Sequence, residues 1–328
     1  MPAPSSPDCH VVVQSNRYEL IPVWDVGMRH LYLHIKSLVS RYCIGKAEQM
    51  KSLKSFIILF FFFINLTSRA QFYYKDQVIP KQSMHQLQQL KATKVKTVKL
   101  RSFESNGSVT EDFTGEQSVN NNYTQVTTFT KSKISDSSEL TTFYNSAGLL
   151  IRTIDSTDGF KSITEYSYDV DNRLVSIKNF SSSPGQETET EQHMWSYSDK
   201  GLAEKMWKIK NSRDTTYVTF IADEKGNIIE ERSVRKGIPA PIIYYYYDDK
   251  NRLTDIVRYN QWARRLIPDY VFEYDDEGRI TTVMIVPESG SDYEKWFYSY
   301  YENGLKGQEA CYNKKQELQG RIEYQYTF

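Results

Sequence analysis

Along most of the chain, apolar and polar residues alternate with a period of two, and the alternation breaks at regular intervals. Tyr166/Tyr168, Trp195/Tyr197, Tyr245/Tyr247, Phe272/Tyr274, Tyr298/Tyr300 and Tyr324/Tyr326 each set two aromatics on one face of an extended strand. A motif of the form aromatic-x-aromatic-Asp-x-x-Gly/Asn-x-Leu/Ile accounts for the breaks. It is clearest in YSYDVDNRL (166–174), YYYDDKNRL (245–253) and FEYDDEGRI (272–280), and weaker in WSYSDKGLA (195–203), FIADEKGNI (220–228), YSYYENGLK (298–306), FYNSAGLL (143–150) and FESNGSV (103–109). Aligned on the turn residue, the copies fall at Gly107, Gly148, Asn172, Gly201, Gly226, Asn251, Gly278 and Gly304, and the last seven are 24, 29, 25, 25, 27 and 26 apart.

Each unit reads as one β-hairpin. An Asp at the start of a type I turn bonds the backbone two residues on, and Gly or Asn at the fourth position takes the left-handed conformation that closes a hairpin through a bulge. The turn residues are Asp169, Asn172, Gly201, Gly226, Asp248, Asn251, Asp275, Gly278 and Gly304. Polar links such as 181–185, 237–239 and 287–290 join one hairpin to the next, so consecutive hairpins are expected to pair antiparallel. Eight hairpins and a closing strand make about 17 strands, more than an open twisted sheet carries without curling or splitting. The expected fold is therefore all-β: tandem hairpin repeats of about 26 residues forming a curled, twisted sheet or spiral. A β-propeller is the second choice, because its blades need roughly 40–50 residues and four strands each. Residues 81–91 (KQSMHQLQQLK) predict a short N-terminal helix capping the first strand.

A seam at Arg69-Ala70-Gln71 divides the chain. From Met50, two lysines (Lys51, Lys54), an apolar run from Phe56 to Leu66 and small residues at Ser68 and Ala70 read as a secretory signal peptide cleaved after Ala70. The run is about half the roughly 20 residues needed to cross a bilayer. The organisation expected is thus 1–49, an upstream extension outside the natural product; 50–70, signal peptide; 71–100, an N-terminal cap segment; and 101–328, the repeat domain. No cysteine near the cleavage point offers a lipid anchor.

Composition sharpens this picture. The chain balances 41 basic against 41 acidic residues, which argues against a nucleic-acid partner, and 22 of its 25 tyrosines follow Ala70. Beyond Ala70 the one cysteine is Cys311, expected as a buried small hydrophobe, and the two histidines, His85 and His193, have no catalytic motif around them. Clustered Cys/His zinc ligands and Gly-rich phosphate loops are missing, so neither a metal nor a cofactor is expected. Carboxylates recur at the hairpin tips as Asp169/Asp171, Asp248/Asp249 and Asp275/Asp276/Glu277. They could be read as calcium ligands or as a glycosidase pair, but the turn role already explains them. The consensus aromatics are expected in the core, whereas Trp207 and Trp262 are the candidates for ligand binding; Trp296 also falls outside the strand consensus.

The strings YDVDNRL, YDDKNRL and YDDEGRI resemble the YD-repeat, or RHS-like, class of secreted bacterial proteins. That resemblance covers about 100–328 and implies tandem hairpins wound into a β-spiral shell; long members enclose a C-terminal toxin or carry adhesive surfaces. Five of the eight units here lack the Tyr-Asp pair and the units are longer than usual; the sequence ends inside the repeat, so a toxin cargo is not expected, and so few hairpins are not expected to close a cocoon. The functional expectation is a non-enzymatic exported protein, periplasmic or at the cell surface, acting as a binding or scaffolding surface at the envelope. Envelope polysaccharide or a surface protein would be its partner, and it would not be integral to the membrane after cleavage. A degenerate fragment of an RHS-like shell and a glycan-acting enzyme using tip carboxylates are the alternatives.

Overall fold

The computed structural model describes residues 72–132, 137–157, 159–260, 263–287 and 292–328, all within one compact unit. The signal segment 50–70, residues 1–49 and Trp262 lie outside the described residues. One helix, α1 (Lys75–Ala92), precedes nineteen strands among the described residues. The first six are β1 (Thr97–Glu104), β2 (Thr114–Val119), β3 (Gln125–Lys131), β4 (Ser137–Tyr144), β5 (Leu150–Thr157) and β6 (Phe160–Tyr168). Then come β7 (Leu174–Ser182), β8 (Glu189–Tyr197), β9 (Ala203–Lys210), β10 (Asp214–Ala222), β11 (Ile228–Arg235) and β12 (Ile238–Pro239). The last are β13 (Ile243–Tyr247), β14 (Leu253–Asn260), β15 (Arg265–Tyr274), β16 (Ile280–Ile285), β17 (Glu294–Tyr300), β18 (Lys306–Asn313) and β19 (Leu318–Thr327).

Consecutive strands pair antiparallel, and β1 pairs with both β2 and β19, in register from Thr97↔Thr327 to Glu104↔Gly320. The two-residue β12 sits beside β11, which also pairs with β13, so 18 strands close a ring. This corrects the open curled or spiral sheet expected from the sequence: the fold is a closed antiparallel barrel. The physical reason is the edge. An open sheet leaves two rows of unpaired N–H and C=O groups, and full closure removes both. The strands that make closure work, β1 to β3, carry no Tyr-Asp motif. The weak copy at 103–109 turns at the opposite rim from the other copies, because β1 runs from the rim where β19 ends.

At the consensus rim each turn follows one scheme. The amide of Asn172 bonds the carbonyl of Asp169 (3.0 Å) and the amide of Asp169 bonds the carbonyl of Arg173 (3.0 Å), while the register slips by one residue at Ser167/Tyr168. Asn172 and Asn251 have φ of 59 and 58, and Gly201, Gly226, Gly278 and Gly304 lie at 75, 89, 82 and 80, all left-handed. The tyrosine before the turn then latches its unit to the preceding one. Its hydroxyl donates to the carbonyl of the residue that opens the preceding hairpin's second strand: Tyr168 to Leu150 (2.8 Å), Tyr197 to Leu174 (2.5 Å), Tyr247 to Ile228 (2.9 Å), Tyr274 to Leu253 (2.7 Å), Tyr300 to Ile280 (2.7 Å) and Tyr326 to Lys306 (2.8 Å).

The same strand faces point inward, and α1 lies across the interior. The predicted helix over 81–91 begins earlier, at Lys75, with Pro80 inside it. At 18 residues α1 is about 27 Å long. Around its N-terminal end Tyr73 packs with Trp195, Met206, Phe220, Ile243 and Tyr245, whereas Leu87 and Leu90 near its C-terminal end join Leu100, Val126, Tyr144, Leu150, Leu305 and Tyr324. The helix therefore bridges opposite walls. It stops in a Schellman-type closure: Lys94 is left-handed (φ 58), the amide of Val95 bonds the carbonyl of Leu90 (3.0 Å), and both Leu90 and Val95 are buried.

The outward positions are mixed, with exposed apolar side chains such as Phe180, Ile221 and Phe297 beside polar rows. Cross-strand rows read Arg152–Glu165–Lys178–Gln192 and Ser196–Lys205–Thr219–Arg232. Arg152 reaches Glu165 at 3.0 Å, and Arg232 bonds Glu230 on the same face.

Two substitutions test the turn scheme. A Cβ at Gly278 would meet nothing within 4 Å, so Gly278→Val should cost about 1–3 kcal/mol through strain at positive φ alone, with Gly278→Asn close to neutral; equal denaturation midpoints for the two variants would contradict this. Tyr274→Phe removes a latch and should cost about 0.5–1.5 kcal/mol, measured by denaturant unfolding.

Candidate functional site

Three places bring chemistry-bearing side chains together, and each is built differently. The first is the tether between α1 and the wall. Asp76, in the first turn of α1, is buried, and its Oδ2 accepts from His193 Nδ1 (2.5 Å) and Trp195 Nε1 (3.3 Å). The other ring nitrogen of His193 faces Glu191 Oε1 (3.0 Å), and Glu191 Oε2 holds Lys208 Nζ (2.9 Å). The result is a buried chain of alternating charge from helix to β8 to β9. Two strands further on, Glu231, only 2% exposed, accepts from the amides of Tyr73 (2.8 Å) and Tyr74 (3.0 Å) and from the Tyr245 hydroxyl (2.7 Å).

Burial alone would lower the His193 pKa, but the carboxylates of Asp76 and Glu191 outweigh it and hold the imidazolium up to about 9. Burial likewise works against the Glu191 carboxylate, yet His193 and Lys208 bring its pKa down to about 2. For Glu231 burial wins over its three donors and pushes the pKa up to about 7. With both ring nitrogens engaged, His193 has no free nitrogen to serve as a base.

The second place is the ring of hairpin tips. Asp169 Oδ1 accepts from the amides of Asp171 and Arg173 (both 2.9 Å), and Oδ2 takes Arg173 Nε (2.7 Å). Asp248 repeats this with Lys250 and Arg252, and Asp275 with Arg279. The backbone amides of Arg173 and Arg252 foremost hold the Asp169 and Asp248 carboxyls below the usual range; at Asp275 burial opposes, but Arg279 prevails in the same direction. Each arginine then covers the next unit's tyrosine, Arg173 over Tyr197 (5.1 Å), Arg252 over Tyr274 (4.7 Å) and Arg279 over Tyr300 (4.9 Å). A general acid needs a raised pKa, and these carboxyls are shifted the other way. Among the described residues no three His, Cys, Asp or Glu side chains are placed to hold a metal ion.

The third place is on the outer wall. Trp207 on β9 stands opposite Met194 on β8 and Tyr217 on β10, and Tyr217 stands opposite Val234 on β11. Tyr217 is 57% exposed, Met194 and Val234 are each 37% exposed, and Trp207 is half-buried. Trp296 lies in the core on β17 and Cys311 in the core on β18, while His85 is exposed on α1.

Sequence reasoning missed the tether, although a signal for it exists. Glu191, His193 and Trp195 share the inward face of β8, and Glu231 shares the inward face of β11 with Ser233, so ionisable residues occupy positions that the alternation assigns to the core.

No family model matches the chain, and no curated protein is detectably similar to it. Among solved structures the chain is similar to the Photorhabdus luminescens Tc holotoxin pore, at 14% identity and a TM-score of 0.30, over 65% of this chain and 12% of that one. It therefore spans about an eighth of the toxin chain's length. It is also similar to porin-like proteins from Bacteroides uniformis (12% identity, TM-score 0.36, 72% of this chain and 97% of that one) and Bacteroides vulgatus (11%, 0.24, 71% and 98%). Similarities at this level do not establish a common fold.

The pKa shifts set the sign of the pH dependence. The Glu231 and His193 values are raised from 4.5 and 6.5, so their contributions to stability are complete in acid and are lost as pH rises through about 7 and then about 9. Glu191 is depressed from 4.5, so its contribution is lost as pH falls through about 2. The melting temperature should fall steadily from about pH 5 to 10; Glu231→Gln should flatten the lower part of that slope and His193→Gln the upper part. A melting temperature that rises over this range would contradict the assignment.

Proposed function

We propose that this protein is an exported, non-enzymatic barrel that stands in water at the cell envelope and works as a binding or scaffolding surface. The observation that carries the reading is the distribution of polarity across the wall. A barrel that spans a membrane faces lipid with an apolar band, and a Lys or Arg on that face costs about 2–4 kcal/mol at mid-bilayer. Here two of the outward rows hold Arg152, Glu165, Lys178, Lys205 and Arg232, interspersed with exposed apolar positions such as Phe180, Tyr217 and Ile221, while the inward faces hold the aromatic core and its helix. The tip carboxylates are committed to turns and His193 to the tether, which supports a binding role over a catalytic one.

The outer row Met194–Trp207–Tyr217–Val234 is the part of that surface best suited to a ligand. It runs across four strands at a spacing of about 4.8 Å per strand, presents two aromatic rings side by side, and is bordered by the polar rows. Envelope polysaccharide, whose sugar rings stack on such surfaces, is the partner this row fits. The alternative of a fragment from an open shell has less support, since β1 and β19 pair with each other and the sheet among the described residues is closed.

Co-sedimentation of the purified protein with envelope polysaccharide tests the reading. Wild type should be retained, and Trp207→Ala should weaken retention about tenfold, roughly 1.4 kcal/mol. In dye-loaded lipid vesicles the same protein should cause no leakage. Leakage would overturn the water-facing assignment, and failure of the wild type to sediment would overturn the polysaccharide.

A further inference from the structure

We infer that α1 is a proton-locked plug: a protonated His193 ties the helix to β8, and loss of that proton frees the helix from the barrel interior while the ring of strands stays closed. This goes beyond the reading of the outer wall and stands apart from it.

The geometry separates plug from wall. The ring is held by its own continuous ladder and by the β1–β19 seam, none of which passes through α1. The helix and its lead-in are held by apolar packing at both ends, by hydrogen bonds of the Tyr73 hydroxyl with Thr216 and of the Tyr74 hydroxyl with Tyr247, and by four further polar anchors among those described. These are Asp76 on His193 and Trp195, the amides of Tyr73 and Tyr74 on Glu231, Gln77 on the Tyr197 hydroxyl (3.0 Å), and Ser83 on the Tyr144 hydroxyl (2.7 Å). Of these, the Asp76 anchor depends on a positive charge, the proton on the His193 ring, that can be removed.

The groups around His193 make that removal costly. From the helix comes Asp76; from the lead-in, Tyr73, whose ring meets the imidazole edge-on at 6.0 Å; from its own strand, Glu191; from β9, Lys208; and from β7 the apolar Ile177 opposite, while Glu231 on β11 acts on Asp76 and Tyr73. With the proton in place, both ring nitrogens donate, and Asp76, His193, Glu191 and Lys208 sum to zero charge. A neutral ring has one N–H for two carboxylates, so one carboxylate must face a lone pair in a medium that screens poorly. The pull of those two carboxylates on the proton places its loss on the alkaline side, and Glu231 ionises before it, adding negative charge beside the amides it holds.

A thiol on the plug and a thiol on the wall distinguish release from unfolding. Ser83 is buried on α1, and Cys311 is buried on β18 as the built-in wall reporter. The full chain carrying Ser83→Cys is labelled with iodoacetamide at pH 7 and pH 10, the sites are resolved by peptide mapping, and each rate is divided by the rate in denaturant at the same pH to remove the thiol's own titration. The relative rate at the introduced helix thiol should rise up to about a hundredfold, because pH 7 lies about two units below the transition and pH 10 above it, while Cys311 stays protected. His193→Gln in the same background should leave the helix thiol reactive at pH 7 and insensitive to pH. Protection of the helix thiol at pH 10, or parallel exposure of both thiols, would overturn the proposal. Should the His193 variant fail to fold, the pH series on the Ser83→Cys parent alone decides between these outcomes.

Discussion

The structure depends on one constraint: the two ends of a long antiparallel sheet must find partners. β1 meets it by pairing on both of its edges, with β2 in sequence and with β19 across the seam. Once the ring is closed at 18 strands, its interior is of the size that leaves an aqueous channel in porins. The inward aromatics alone would not bridge such a ring, and α1 supplies the rest by linking the cluster around Tyr73 to the cluster around Leu87 and Leu90.

Filling the interior with a helix brings a difficulty of its own, because the helix start and its lead-in carry backbone amides and charges away from water. The wall answers with ionisable groups at inward positions: Glu231 for the amides of Tyr73 and Tyr74, and His193 for Asp76. Such buried pairs contribute little net stability against an apolar alternative, but removing one member leaves an uncompensated charge. Their value here is positional, since only one placement of α1 satisfies all of them.

What could be read from the sequence was what is local. The Asp-x-x-Gly/Asn spacing reports a turn whose geometry is fixed within five residues, and the Tyr two residues beyond the first aromatic reports a face. The link between units was half visible: the tyrosine and the arginine stand in the motif, but that one hydroxyl reaches the preceding hairpin, and one guanidinium the next tyrosine, needs the paired strands to be seen. Closure was invisible because it joins β1, which carries only the start of a weak copy without the Tyr-Asp pair, to β19, which looks like an unfinished unit. The outer row through Trp207 was hidden for a similar reason, since Met194, Trp207, Tyr217 and Val234 become neighbours only once the register is set.

The seam also dictates an order of events. Thr97 pairs with Thr327, so β1 waits for β19 before its second edge is covered. Ring closure of this kind puts the longest loop of the chain into the final step, and topologies dominated by distant pairings fold slowly. A chain threaded N-terminus first through a translocation channel would emerge with α1 and β1 exposed for the whole time of its passage. The hairpins between them, each stabilised by its own turn and latched to its neighbour, can assemble one by one as they appear. Completion, however, belongs to the seam, where β19 covers the second edge of β1.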